Sequence, residues 1–419
     1  MSKRRLMVTG LLCVLPALSP THGTELAYEA LATAHAIVTP SASYPDYLRL
    51  VTDAAFGTPF VRVTDPGRQM LPGISCKPAY CTHRYSSAQA WNADQSLLLI
   101  ANGCSGLCFL DGSTYAPLFH RTVPNECEWH PVDPALMICV AGNEVYTWNP
   151  RSDIRTAVHA FTDYTHLQFG PYKGNPSKDG TKLVVRATNR QGELVAFAYD
   201  ISTQRKYPDI ELANLPGRNG YCTISPSGRY VFCANATFDG TDTAYVFTTD
   251  GVQLQHWTEH HRPGHGDMTI DTDGNDVYVG ISKASPDKYH IIKRRLDDGA
   301  ITDLAPYGDG QHASIRNINR PGWVFVTYSG THAEVAGHPA PFYQEVIALR
   351  IDGSGELRRV IQTRNIKYDY WSETHASPSP DGSQVVWSSN WGHPGGPVAD
   401  YVARLSWPES TTAGSSAHQ

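Results

Sequence analysis

The sequence is short of several things, and each shortage closes an option. It has no excess of positive charge: 34 Lys+Arg stand against 40 Asp+Glu, for a formal net charge of −6. That excludes a general nucleic-acid or anionic-membrane binder, since both need a basic surface. It has no G-x-S-x-G elbow, no G-x-x-x-x-G-K-S/T loop and no G-x-G-x-x-G after a strand. The usual hydrolase, nucleotide and dinucleotide signatures are therefore missing. No helical H-E-x-x-H motif is present either. What the chain does have is 419 residues, 41% of them hydrophobic, with 35 Gly, 29 Pro, 22 Tyr and 9 Trp. This is enough apolar matter for a core, and the Gly, Pro and aromatic content suits many short strands joined by turns.

The N-terminus reads as an address. Lys3, Arg4 and Arg5 form a basic start, an apolar run follows from Leu6 to Leu18, and small or polar residues lead to Gly23. This layout predicts a secretory signal peptide over residues 1–23, too short in its apolar part for a membrane span. No other stretch reaches 18 apolar residues. The expectation is a soluble, exported protein, extracellular or periplasmic, with no nucleic-acid or membrane partner and a monomeric state. Beyond Cys13, eight cysteines remain at 76, 81, 104, 108, 127, 139, 222 and 233. An even count in an exported chain favours disulfides. The expected pairs are 76 with 81, 104 with 108, 127 with 139 and 222 with 233, although Cys104-x-x-x-Cys108 is also the spacing of half a zinc site.

One unit recurs along the chain: a polar residue, often His, then a short strand, a turn and an apolar strand. It begins at Thr82, Cys127, His166, Tyr221, His265, His312 and His375. The last five turns end at Gly180, Gly228, Gly274, Gly322 and Gly382, spaced 48, 46, 48 and 60 residues apart. Ser-Pro-Asp-Gly and its variants are hairpin turns in which Gly supplies positive φ. A period of this length holds about four strands, as a propeller blade requires. Seven units predict an all-β, seven-bladed β-propeller over residues 24–408. Tyr47–Val51 and Phe60–Val63 should help close the ring, and residues 409–419 should be a disordered tail.

In such a ring the first strands line the central channel, so the starts of the units open on one face. His83, His166, His265, His312 and His375 stand there, with Tyr221 at the same station of the fourth unit. Imidazole serves both general acid/base work and metal binding. His265, His312 and His375 come from consecutive units and are the expected ligands of one divalent ion, calcium, manganese or zinc. Asp267 or Gln311 offers an oxygen beside them.

The run from His375 to Gly382, followed by SQVVWSSNWG, resembles the propeller polysaccharide lyases: oligogalacturonate lyases, ulvan lyases and L-rhamnose-α-1,4-D-glucuronate lyases. Cys81–Ser87, Gly174–Gly180 and Gln311–Asn317 carry the same resemblance. It implies a carbon–oxygen lyase that degrades an acidic polysaccharide by β-elimination at a 4-linked uronate. The uronate C5 proton is weakly acidic, so the carboxylate must be neutralised while a base takes the proton and O4 is protonated. By the resemblance, His83 is the base, Tyr172 a catalytic tyrosine of the third turn and Arg186 the carboxylate clamp, whose planar fork suits a carboxylate. Asn102, His166 and Tyr221 would touch substrate.

The chain departs from these families in two places. Ulvan lyases carry a second histidine about where Ile100–Gly103 stands here, and Asn102 offers orientation but no proton transfer. Oligogalacturonate lyases hold manganese with His and Gln around the last blade, where this chain has His375 with Ser372 and Ser377. The departures point toward a rhamnose–glucuronate linkage, as in ulvan and some gums, over oligogalacturonate. A non-catalytic binding propeller of the TolB or WD40 type is the rival of a different class.

Overall fold

In the computed structural model the described residues run from 37 to 407, apart from 38, 40, 123–125, 170–173, 213–220, 236–242, 258–262, 283–284, 286–287, 306–309, 329, 332 and 334–340. The expected signal peptide, the expected tail and Tyr172 lie outside the described residues.

Seven antiparallel sheets follow one another as the blades of a propeller. Blade 1 contains Leu97–Ile100, Leu107–Asp111 and Pro117–Arg121, and blade 2 runs from Glu126–Trp129 to Ile154–Ala160. Blades 3 to 6 open with Tyr164–Gln168, Tyr221–Ile224, Pro263–Ile270 and Gly310–Ser314. Blade 7 joins Ser377–Pro378, Gln384–Ser389 and Val398–Arg404 to Pro59–Arg62 and Leu50–Thr52 from the other end of the chain. The N-terminal hairpin thus closes the ring, with Val61 registered on Val402.

Strand patterning explains the stacking. Ile138 and Val140 of blade 2 pack with Leu183 and Val185 of blade 3, while their neighbours Met137 and Cys139 turn to Leu97 and Phe109 of blade 1. Both faces of such a strand are covered, so the strand is apolar throughout and its period of two divides it between two interfaces. An apolar cluster of this kind fills each junction between consecutive blades, including that between blades 7 and 1, where Val386 and Val402 meet Trp91 and Leu98. Loss of one such buried side chain to Ala costs about 2–5 kcal/mol.

The turns follow their sequence. Gly382 has φ +72°, and the Asp381 carboxylate accepts hydrogen bonds from the Ser383 amide and the Ser379 hydroxyl, at 2.8 and 3.0 Å. The four expected cysteine pairs are at disulfide distance, with Cα atoms 4.1 to 6.2 Å apart. Cys127–Cys139 and Cys222–Cys233 are registered partners on neighbouring strands of blades 2 and 4. One expectation fails locally: the innermost segment of blade 1 is no continuous strand but a chain of bridges, Thr82 with Asn102 and Trp91 with Leu98. Side chains take some of its polar groups: Asp400 accepts the His83 amide, and Asn102 donates to the His83 and Arg84 carbonyls. No helix among the described residues is long and apolar enough to cross a membrane.

Candidate functional site

His265, His312 and His375 stand at or just before the starts of the inner strands of blades 5, 6 and 7, and the ring brings all three together. His265 stacks on His312 with centroids 4.8 Å apart and planes at 8°, and His312 lies 4.4 Å from His375. His265 and His375 have left-handed backbones, φ +48° and +47°. Non-glycine residues rarely accept that conformation, and such strain gathers at functional sites. Gly266 follows His265 because a Cβ there would strike the Val279 carbonyl and the Tyr278 ring.

Glu373 completes the group. Its Oε2 lies 3.1 Å from His312 Nε2 and 3.5 Å from His375 Nε2, while its Oε1 takes the Lys367 ammonium at 2.7 Å. One ligand atom from each of His312, Glu373 and His375 falls within 4.8 Å of the others. Tyr85 covers the pair of rings, 5.2 Å from His312 and 4.7 Å from His375. Burial holds the His375 imidazole well below its ordinary pKa, with His312 acting in the same direction against Glu373. A neutral buried imidazole is the form that ligates metal. Two imidazoles and one carboxylate oxygen fit a divalent ion such as manganese or zinc better than calcium, which prefers oxygen cages.

His265 differs from its neighbours. It is exposed, and its Nδ1 lies 2.9 Å from the Gln311 carbonyl. Donation of an Nδ1 proton to that oxygen leaves the Nε2 lone pair as the proton acceptor. Asp267, one of the two oxygen ligands suggested by sequence, is otherwise engaged: it receives the Arg316 guanidinium through two bonds of 2.6 and 2.7 Å, and also the Ile315 amide. Ser372 caps a turn with Asp369, and the Ser377 hydroxyl donates to the Ala88 carbonyl.

His83 is 2% exposed, and both its ring nitrogens have partners. Nδ1 lies 3.0 Å from Asp400, and Nε2 lies 2.6 Å from the His375 carbonyl. Burial alone would lower its pKa, but Asp400 and the His375 carbonyl together raise it above the ordinary value. Asn102 braces the same segment, donating 2.6 Å to the His83 carbonyl. His83 thus rests on the backbone of His375, and Asn102 on that of His83.

The remaining candidates are spread around the ring. His166 is exposed at the start of blade 3. Arg186 is buried on the next strand of that blade, where burial lowers its pKa against the attraction of Glu126. Tyr221 lies near Tyr278, Asp267 and Tyr85; burial, then Tyr278, pushes its pKa well up. Further along the same inner strands the channel opens into a cavity of about 150 Å³, lined among others by Tyr221, Thr223, Asp267, Arg316 and Trp129.

Solved structures were compared with this architecture. The chain shares its fold with oligogalacturonate lyases. One, an oligogalacturonate lyase in complex with manganese, is 17% identical with TM-score 0.57, over 86% of this chain and 96% of that one. Another, from Vibrio parahaemolyticus, is 13% identical with TM-score 0.57, over 86% and 97%. No protein-family model and no curated protein sequence matches the chain.

Sequence reasoning passed over Glu373, Tyr85, Lys367 and Asp400. Two had a readable signal. Glu373 stands two residues before His375, and Tyr85 two residues after His83, the spacing that returns a side chain to the same face of an extended chain.

Proposed function

We propose that the protein is an exported polysaccharide lyase that cleaves a 4-linked uronate by β-elimination. The convergence of His265, His312, His375 and Glu373 at one mouth of the channel carries this reading, and the shared fold supports it. In the proposed reaction His265 takes the C5 proton. The electrons form the C4–C5 double bond, the C4–O4 bond breaks, and O4 regains a proton from the imidazolium or from solvent at the mouth. His312, Glu373 and His375 would hold a divalent ion, which supplies an electrophile for the uronate carboxylate. Lys367 holds one oxygen of Glu373, leaving the other toward the imidazoles.

His83 is then a positioning residue: it fixes the carbonyl of His375, whose left-handed backbone needs support. Arg186 stays in the proposal as a blade 3 cation for a carboxylate of the glycan, and Tyr172, outside the described residues, stays in it on the sequence resemblance alone. A rhamnose–glucuronate linkage is the first substrate. Oligogalacturonate is the second, favoured by Glu373 supplying the ligand that Ser372 and Ser377 do not.

The test is the absorbance of the unsaturated uronate after incubation with ulvan, glucuronate-containing gum and oligogalacturonate. Activity on at least one is expected, and His265→Ala should lower kcat at least about 100-fold, the usual scale of general base catalysis. No absorbance with any of them would refute the lyase reading in favour of a binding propeller.

A further inference from the structure

We propose that Tyr80, Trp371 and Tyr370 form a sugar-stacking subsite beside the histidine cluster, taking a pyranose ring of an acidic oligosaccharide. This rests on the proposed glycan-directed function and adds to it a binding site away from the reacting bond. Tyr368, Tyr370 and Trp371 are all exposed, Trp371 by 43%. Trp371 stacks on Tyr80 with centroids 4.5 Å apart and planes at 2°, although 291 positions separate them in the chain. Tyr370 stands edge-on to Trp371 at 5.4 Å and lies 5.6 Å from His375. One ring thus separates Trp371 from the cluster.

Two independent devices hold these rings in place. Tyr80 belongs to the short loop closed by the Cys76–Cys81 pair, and the Lys77 amide donates to the Gly103 carbonyl at 2.8 Å. Gly103 has φ +84°, and a Cβ there would strike the Tyr80 carbonyl. Tyr370 and Trp371 sit in a single helical turn with a capping box, in which the Asp369 carboxylate accepts from the Ser372 amide and the Ser372 hydroxyl accepts from the Asp369 amide, both at 2.9 Å. Such fixing keeps apolar rings in water when burial would otherwise be favoured, and removes the ordering cost of binding.

The chemistry of the neighbourhood selects the ligand. Aromatic faces offer apolar area and a negative quadrupole to the C–H face of a sugar ring. A cation flanks them: Lys77 Nζ lies 3.2 Å from the Tyr80 hydroxyl and 5.2 Å from its ring centre. Aromatic faces with an ammonium group at their edge fit a carboxylated pyranose.

Binding is measured separately from cleavage, by calorimetric titration of His265→Ala and of His265→Ala/Trp371→Ala. The probes are a galacturonate tetrasaccharide, a glucuronate-containing tetrasaccharide from ulvan, and cellotetraose as the neutral control. At least one acidic probe should bind, Trp371→Ala should weaken it about tenfold, and Trp371→Phe should recover most of the loss. Thermal unfolding shows that each variant is folded. Unchanged affinity in the folded Trp371→Ala variant, no binding of either acidic probe, or equal binding of cellotetraose would each overturn the subsite. Stacking-dependent binding without any unsaturated product from the parent protein would sink the lyase reading and leave the subsite standing.

Discussion

Closure of the ring contains a buried carboxylate whose ionisation should be visible as pH-dependent stability. Glu345 begins the third strand of blade 6 and is wholly buried, with Arg359 Nη1 3.0 Å from its Oε1. Asp53, in the closing hairpin, accepts the Gln362 amide at 2.7 Å and lies 3.7 Å from Arg364. Burial pushes the Glu345 carboxyl up to about 8 from 4.5; Arg359 opposes the rise and Asp53 adds to it. The folded state therefore holds this proton more tightly than the unfolded chain does. The stabilisation is fully present below about pH 4.5 and is lost as pH rises through about 8. Each pH unit across that window is worth about 1.4 kcal/mol, so the loss between pH 5 and pH 8 is on the order of 4 kcal/mol.

Glu345→Gln keeps the shape and an acceptor for Arg359 but cannot ionise. Urea midpoints for parent and variant at pH 5, 6, 7, 8 and 9 give the difference directly, since every other titrating group is common to both. The variant should match the parent near pH 5, gain on it up to about pH 8 and level off by pH 9. A flat difference, or a variant that loses ground as pH rises, would refute the reasoning. It would mean that Glu345 enters the fold ionised and that its pairing with Arg359 outweighs the desolvation of both groups.

Much of the scaffold was legible because a repeat states its own geometry. The turn glycines mark the hairpins, strands apolar on both faces mark blades covered on both sides, and the cysteine spacings mark cross-strand pairs in blades 2 and 4. The Tyr47–Val63 segment was readable as closing strands for the same reason: it is strand-like yet precedes the first unit. The site was half legible. Repeat-equivalent histidines announced a cluster, and His265, His312 and His375 do meet.

What the repeat could not tell was which imidazole is buried with both ring nitrogens bonded. His83 and His265 look alike in sequence, each opening a unit. The difference comes from Asp400, 317 residues from His83 in the chain, and from the carbonyls on which the two rings rest. In the same way Glu373 and His312 meet across 61 residues only because blade 7 packs beside blade 6. Asp267 looked like a ligand until Arg316 of the next blade claimed it. Side-chain pairs between blades have no signature in a repeat, because they depend on what the neighbouring unit happens to carry.

That dependence sets the remaining predictions. Chelated protein should gain thermal stability on addition of manganese or zinc, by about 2.7 kcal/mol at a hundredfold excess over Kd. Glu373→Gln should abolish that gain, and a parent protein with no response would remove His312, Glu373 and His375 from metal binding. His83 and His265 should separate in kind. His83→Gln removes the buried imidazole that joins Asp400 to the His375 carbonyl, and breaking a buried pair of this kind typically costs about 3–5 kcal/mol. Its main effect should therefore be a lower unfolding midpoint, with lost activity tracking the loosened His375 backbone. His265→Ala removes an exposed ring, so it should leave the midpoint nearly unchanged while removing most of kcat. Activity and midpoint measured on the same preparations, well below either transition, decide between the two roles. If folded His83→Gln keeps its midpoint and loses at least about 100-fold in kcat while His265→Ala stays active, the proton is taken by the buried ring. The hydrogen bonds seen from Nδ1 and Nε2 of His83 must then open during turnover.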